Sequence, residues 1–287
     1  MEQEILRIAI QKNGRLNEQT LQLLKECGVK VGNGSSTLKA RASNFPVEAL
    51  FLRDDDIPQY VADKVADAGI LGENVVAEKG KPVKALEPLG FARCRLSLAI
   101  RKEENYSGVK FFEGKKVATS YPAILNAFLK KHKIRAEIEE ISGSVEIAPS
   151  IGLADAIFDI VSTGSTLFTN GLKEAETVMQ SQAVLIANPQ LSKAKNAILE
   201  KLLFRIKAVN NARSNKYILL NAPDKSLDSI CRLLPGIKSP TILPLAKKGW
   251  SSLHSVVKED DFWEVIDELK KAGAEGILVV PIEKMVI

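Results

Sequence analysis

Ligand chemistry is concentrated in residues 155–167, which read DAIFDIVSTGSTL. Asp155 and Asp159 stand in and beside an apolar run, Ile157, Phe158, Ile160 and Val161, which then breaks into Ser162, Thr163, Gly164, Ser165 and Thr166. Such a run predicts a buried strand, because strands covered on both faces need not alternate. Beyond it, a glycine flanked by hydroxyls lets consecutive backbone N–H groups converge on an anion, with Ser and Thr O–H groups as further donors. A carboxylate within an apolar strand is costly unless bonded, so Asp159 is expected at the strand's carboxyl end, facing ligand hydroxyls or a hydrated metal. The plainer alternative is an ordinary strand followed by a Ser/Thr/Gly turn. The two carboxylates upstream favour the ligand reading.

Three strand-exit turns near the start of the chain have a related chemistry. Residues 5–10 (ILRIAI) read as a strand that empties into Gln11, Lys12, Asn13, Gly14 and Arg15 before a helix, an arrangement suited to an anion. A short strand at 49–52 is followed at once by Arg53-Asp54-Asp55-Asp56-Ile57-Pro58. Asp55 or Asp56 can cap the helix that Pro58 opens, whereas Arg53 and Asp54 sit at the strand exit, where open α/β sheets bind ligands. Residues 66–74 (ADAGILGEN) give a third strand, with Gly72 freeing the next helix entrance and Glu73 or Asn74 as its cap.

The elements that position these turns follow from periodicity. The repeated strand, polar turn and helix units up to residue 75 predict a parallel sheet. Residues 96–100 and 116–119 lead into a second α/β lobe, built from a strand at 115–118, a helix at 123–131, a strand at 134–141, a short helix at 145–153 and the 155–167 stretch. One strand over 178–186 returns the chain to the first lobe. Two such lobes joined by two crossings enclose a cleft. After Asn188-Pro189, a basic amphipathic helix over 192–213 is read as a connector packed by Ile198, Leu202, Leu203, Ile206 and Val209. The remainder has the order βαββαβ, a ferredoxin-like arrangement. The expected domains are lobe I over 1–95 and 180–212, lobe II over 96–179, and a C-terminal unit over 213–287.

Composition narrows the partners. Of the 287 residues, 45% are hydrophobic and 26% charged, with a formal charge of +5, ordinary for a globular protein. The basic residues are not clustered with aromatics, which argues against nucleic acid. Cys27, Cys94 and Cys231 form no paired-cysteine motif, and His132 and His254 are far apart, so any metal is expected to be a hard cation held by oxygen. With no apolar run of about 18 residues and no leader pattern, a membrane partner is not expected and the cytoplasm is the default location.

The motifs IAIQKNGRL, RDDDIP, DAGILGEN, CRLSLAI, KKVATSYP, GSVEIAP, GLADAIFDIVSTGSTL, SPTILPLA and PIEKM resemble, in order along essentially the whole chain, the ATP phosphoribosyltransferase family in its long form. The resemblance implies an α/β fold: a bilobed core like a periplasmic binding protein plus a ferredoxin-like regulatory domain. It implies transfer of the phosphoribosyl group of phosphoribosyl pyrophosphate (PRPP) to N1 of ATP with loss of pyrophosphate, the first step of histidine biosynthesis. Magnesium (Mg2+) as cofactor, feedback inhibition by histidine, AMP as a further inhibitor, and a dimer-to-hexamer equilibrium come with it. It assigns Thr163, Gly164, Ser165 and Thr166 to the 5-phosphate and Asp155 and Asp159 to the ribose hydroxyls. Lys12, Arg15 and Arg53 are the candidates for neutralising phosphates, with Asp67, Gly72 and Glu73 on the opposite wall. Asn221, Asp224, Thr241, Leu243 and Ala274 are the candidates for histidine, and protein ligands for the metal are not assigned. The rival reading is a non-catalytic solute-binding or sensor module, since a two-lobed core also serves binding proteins.

Overall fold

The structure, a computed structural model, describes residues 4–32, 38–234 and 236–287. The chain divides into two units, Met1–Glu200 and Lys201–Ile287. The first runs β1 (Leu6–Gln11), α1 (Arg15–Glu26), β2 (Lys39–Arg41), β3 (Val47–Leu52), α2 (Ile57–Ala62), β4 (Ala68–Gly72), α3 (Glu73–Lys79) and β5 (Lys84–Pro88). It continues through β6 (Cys94–Arg101), β7 (Lys116–Thr119), α4 (Pro122–His132), β8 (Glu137–Glu140), β9 (Ala156–Val161), α5 (Ser165–Thr169), β10 (Leu172–Ser181) and β11 (Ala183–Ala187), then enters α6 (Lys193–Arg213).

Two sheets form from these strands, β2-β3-β1-β4-β11-β5 and β10-β6-β9-β7-β8. In the first, β1 lies parallel to both β3 and β4, so the turns leaving all three strands share one edge. In the second, β7 lies parallel to β8 and β9, and the turns leaving those strands share an edge likewise. The strands are held by continuous apolar runs: Leu6, Ile8, Ala9 and Ile10 of β1 and Ala156, Ile157 and Phe158 of β9 are almost fully buried. Parallel strands covered on both faces need such runs.

The return path differs from the expected single strand over 178–186. β10 belongs to the second sheet and β11 to the first, with Gln182 alone between them. Val178 and Met179 are separated from the apolar run of β11 only by the polar Gln180-Ser181-Gln182, and the hydrogen-bonding partners are exchanged at Gln182. The helix expected at 145–153 is a single 3-10 turn, Val145–Ile147, and the strand expected at 134–141 shortens to β8. The connector helix is α6, in which Leu199, Leu202, Ile206 and Val209 are buried as its apolar stripe requires. The boundary between units falls within it rather than after it.

The second unit contains β12 (Asn215–Pro223), α7 (Leu227–Leu233), β13 (Thr241–Pro244), β14 (Trp250–Lys258), α8 (Glu259–Lys271) and β15 (Glu275–Pro281). Its sheet order, β13-β14-β12-β15 with every pair antiparallel, is the ferredoxin-like topology. Ile218, Leu220 and Ala222 face a core shared with Ile230, Phe262 and Leu269 of the two helices.

Candidate active site

The edge of the first sheet presents cations. Lys12 follows β1, its amide donating to the Leu52 carbonyl at 2.7 Å, which sets it beside the exit of β3. Arg53 follows β3, and Arg15 opens α1. All three side chains are exposed and form no ion pair among the described residues. Asp54, next to Arg53, is pushed above its ordinary pKa chiefly by burial and secondly by the charge of Asp55, while Asp55 itself lies 3.4 Å from Lys79.

The edge of the second sheet presents acids and hydroxyls. Asp159 pairs across the ladder with Ser97, and its Oδ1 accepts the Ile160 amide at 2.7 Å. Burial raises its pKa, the Ile160 amide works the other way, and the charge of Glu146 adds to the rise. Beyond Val161 the chain turns through Gly164, whose φ of 82° is open to glycine at no steric cost. Thr163 Oγ1 lies 2.9 Å from Ser165 Oγ and accepts the Ser165 amide at 3.4 Å, closing a small hydroxyl-rich turn. Thr163, Ser165 and Thr166 are exposed. Arg95 Nη1 donates to the Ser162 carbonyl at 3.1 Å, and the same guanidinium grips both carboxylate oxygens of Glu174.

Tyr121, just after β7, joins the two edges. Asn74 Nδ2 donates to its hydroxyl at 3.4 Å, and its pKa is raised by burial first, then by the charges of Asp159, Asp54 and Asp55. The phenol therefore stays protonated at neutral pH, a donor set among carboxylates of both lobes. Nearby, Glu78 of α3 accepts the Ala123 and Ile124 amides at 2.8 and 3.0 Å, so a carboxylate of the first lobe caps α4 of the second. Sequence reasoning missed Tyr121 and Glu146. Tyr121 follows the exit of β7 in KKVATSYP, the signal that would have marked it, whereas Glu146 lies within the 3-10 turn of GSVEIAP and carries no such signal.

Four of the expected site residues sit in contacts of the fold itself. Asp155 lies at the amino end of β9, where its Oδ2 accepts the Lys116 amide at 2.8 Å. Four strand steps at about 3.3 Å set it roughly 13 Å from Asp159, so the two acids do not share a ribose. Asp67 likewise lies at the amino end of β4, 4% exposed, accepting the Arg7 amide at 2.8 Å and pairing with Lys195 at 2.8 Å. It is a structural residue on the edge away from the ligand turns. Glu73 lies at the correct edge but serves the lobe crossing: its Oε2 accepts the Gln182 amide at 3.2 Å and its own amide donates to the Gln182 carbonyl at 2.9 Å. Gly72 belongs to the same hinge, since a Cβ there would stand 2.2 Å from Asn74 Oδ1, itself bonded to Ser181 at 2.9 Å.

In the second unit, Leu243, Ser252, Asn221 and Glu275 form one row across four strands, and Thr241 lies on the same face one row away, opposite His254. Leu220 and Ala222, the neighbours of Asn221, are buried, so Asn221 points away from the helices. Asp224 and Ala274 do not join that face. Asp224 Oδ1 accepts the Ser251 hydroxyl at 2.7 Å, and Ala274 is buried in the core.

No group of three or more metal-ligating side chains gathers among the described residues. The cleft acids offer oxygen donors only, which fits a magnesium ion carried on a polyphosphate and keeping much of its water.

A two-lobed α/β core with cations on one edge and a hydroxyl turn beside acids on the other defines a class: bilobed α/β proteins whose strand-exit turns suit anions. The ATP phosphoribosyltransferase profile matches residues 53–208, and that of the HisG C-terminal domain matches 212–284. An ATP phosphoribosyltransferase of Cytophaga hutchinsonii is 60% identical over 98% of this chain and 99% of its own. One of Azobacteroides pseudotrichonymphae is 60% identical over 99% of this chain and 100% of its own. Among solved structures, the ATP phosphoribosyl transferase (HisG:HisZ) complex from Thermotoga maritima aligns with a TM-score of 0.60 at 29% identity, covering 71% of this chain and 99% of that one. The chain belongs to the ATP phosphoribosyltransferase family, in its long form, and is an enzyme of the pentosyltransferase type. The non-catalytic binding-module reading finds no support in these relatives.

Proposed function

We propose that this enzyme binds PRPP in the second lobe and ATP against the first, and joins N1 of the adenine to C1 of the ribose as pyrophosphate leaves. The observation that carries this reading is the place of Tyr121, whose hydroxyl accepts from Asn74 of the first lobe and lies within reach of the charges of Asp159 in the second lobe and of Asp54 and Asp55 in the first. The N1 lone pair forms the new C–N bond while the C1–O bond to pyrophosphate breaks with its electrons on oxygen. Ribose carries cationic character midway, so fixed negative charge beside it lowers the barrier. Asp159, backed by Glu146, supplies that charge and accepts a ribose hydroxyl. Thr163, Gly164, Ser165 and Thr166 hold the 5-phosphate through amides and hydroxyls. Lys12, Arg15 and Arg53 meet the remaining phosphates, and the protonated Tyr121 donates into the cleft. Magnesium, when bound, neutralises pyrophosphate oxygens; Asp54 and Asp55 are the oxygen donors nearest that cationic edge.

The remaining features extend the same reading. Histidine binds the open sheet face of the second unit through Asn221, Thr241 and Leu243 and inhibits turnover, with AMP as a second inhibitor. The enzyme shifts between dimer and hexamer and works in the cytoplasm; no helix among the described residues is long and apolar enough to cross a membrane. The test is direct. Mixing protein, ATP, PRPP and Mg2+ should release pyrophosphate in step with a change in adenine absorbance, and histidine should slow both. Tight PRPP binding with no pyrophosphate released would overturn the catalytic reading.

A further inference from the structure

Arg95, Glu174 and Ser162 take no part in the chemistry above, yet they meet at the root of the turn assigned to the sugar phosphate. Arg95 stands in register with Val161, the last residue of β9. Its Nε and Nη2 donate to Oε1 and Oε2 of Glu174 at 2.7 and 2.6 Å, the planar two-bond pairing of guanidinium with carboxylate. Ser97 Oγ and Thr177 Oγ1 donate to the same Oε1 at 2.7 and 2.9 Å. The ladder between β10 and β6 is irregular between Glu174 and Glu176 and again between Thr177 and Met179. Bulges of this kind re-aim side chains, and here the Ser97 and Thr177 hydroxyls converge on one carboxylate oxygen of Glu174. The Glu174 carboxyl is held down to about 2, first by Arg95 and then by the two hydroxyls, with burial opposing them.

What remains of the guanidinium acts on the turn. Nη1 donates to the Ser162 carbonyl at 3.1 Å. A trans peptide is planar, with its C=O and N–H pointing in opposite directions. Holding the Ser162 oxygen therefore fixes the plane that carries the Thr163 N–H and aims that N–H away from Arg95. A hydrogen bond from a cation to the carbonyl also polarises the peptide, making its N–H a better donor to an anion.

We infer that Arg95, locked by Glu174, is a positioning residue for the phosphate turn, fixing the Ser162 peptide so that the Thr163 amide is set for the 5-phosphate of PRPP before it arrives. The inference rests on the assignment of that turn to PRPP. Preorganised donors bind an anion more tightly because no ordering cost falls on the binding step. Lysine cannot replace the clamp: one ammonium can keep the charge facing Glu174 but cannot make two parallel bonds to it and a third to Ser162.

The experiment compares full-length Arg95→Lys, Glu174→Gln and Thr166→Val with the unaltered enzyme. KM for PRPP, KM for ATP and the melting temperature are measured, together with calorimetric titration of PRPP and Mg2+ in the absence of ATP. Arg95→Lys and Glu174→Gln should each raise both KM and Kd for PRPP about tenfold while KM for ATP moves less than about twofold. A lowered melting temperature with PRPP binding unchanged would make the clamp purely structural and overturn the inference, as would equal rises in both KM values. Thr166→Val separates the inference from its basis. If it leaves PRPP binding unchanged, the turn assignment falls and the clamp's role with it. If it weakens PRPP binding and Arg95→Lys does not, only the clamp's role falls.

Discussion

The two ends of the parallel strands hold the same residue types for opposite purposes. At the amino ends, Asp67 and Asp155 each accept a backbone amide from a neighbouring strand, at 2.8 Å in both cases, and Asp67 also takes the Lys195 ammonium. At the carboxyl ends, Lys12, Arg15 and Arg53 have no ion-pair partner among the described residues, and Asp159 accepts only the amide of the next residue among the hydrogen bonds formed. Asp67 and Asp155 at the first edge are consumed by the fold; at the second, Glu73 and Asp55 are held by Gln182 and Lys79, while Lys12, Arg15, Arg53 and Asp159 have no charged partner among the described residues. On the function proposed above, the charges that work on substrate all lie at the carboxyl edge, where open α/β sheets bind ligands.

The largest break in this comparison should come at Asp159. Asp159→Asn is expected to lower kcat/KM about a thousandfold, since it removes the charge that stabilises the ribose in the transition state. It should not lower the melting temperature at pH 7. Burial raises the folded-state pKa of Asp159 above the ordinary 3.8, so its ionised form costs stability at neutral pH. That cost is recovered as pH falls from the raised value toward 3.8, and removing the charge should leave the variant as stable as the parent or more so. A large stability loss with turnover retained would place Asp159 with the structural acids.

Next in size are the free cations. Arg53→Ala and Lys12→Ala should each cut kcat/KM by about ten- to a hundredfold, with unfolding midpoints unchanged, because no protein partner is left behind. Asp67→Ala should do the reverse: a loss of about 3 kcal/mol in urea unfolding, from a buried ion pair broken on one side, with both KM values retained. The smallest effect concerns acid. Glu174, held to about 2 against an ordinary 4.5, stabilises the fold fully above 4.5 and loses that contribution as pH falls from 4.5 toward 2. Glu174→Gln should flatten this part of the melting-temperature profile; an unchanged profile would mean the Arg95 clamp adds nothing to folding.

Much of this was legible before any coordinates. The strand run of DAIFDIV ending in a hydroxyl-rich turn, the cations at the exits of β1 and β3, and the βαββαβ order of the second unit all follow from local pattern and turn chemistry. The two aspartates of DAIFDIV were not separable, because a carboxylate that caps a neighbouring strand and one that faces a ligand sit in the same local pattern. Asp67 and Glu73 could not be told from ligand-facing acids for the same reason: their partners, Lys195 and Gln182, lie more than a hundred residues away. Val178 to Ile186 read as one strand because sheet membership is a matter of partners rather than of hydrophobicity. The edge strand β5 was missed, since Lys84 and Glu87 break the apolar pattern that marks buried strands. Arg95 and Glu174 meet only through the irregular β10–β6 ladder, which no periodicity announces.

The most direct test sets the two acids of β9 against each other. Calorimetric titration with PRPP and Mg2+ at pH 7 should give Asp155→Ala the same Kd as the unaltered enzyme, with a lower melting temperature from the lost amide acceptor. Asp159→Asn, titrated in parallel, should show a sharply raised Kd with its melting temperature intact. If Asp155→Ala weakens PRPP as much as Asp159→Asn does, the division between structural and ligand-facing strand ends is wrong.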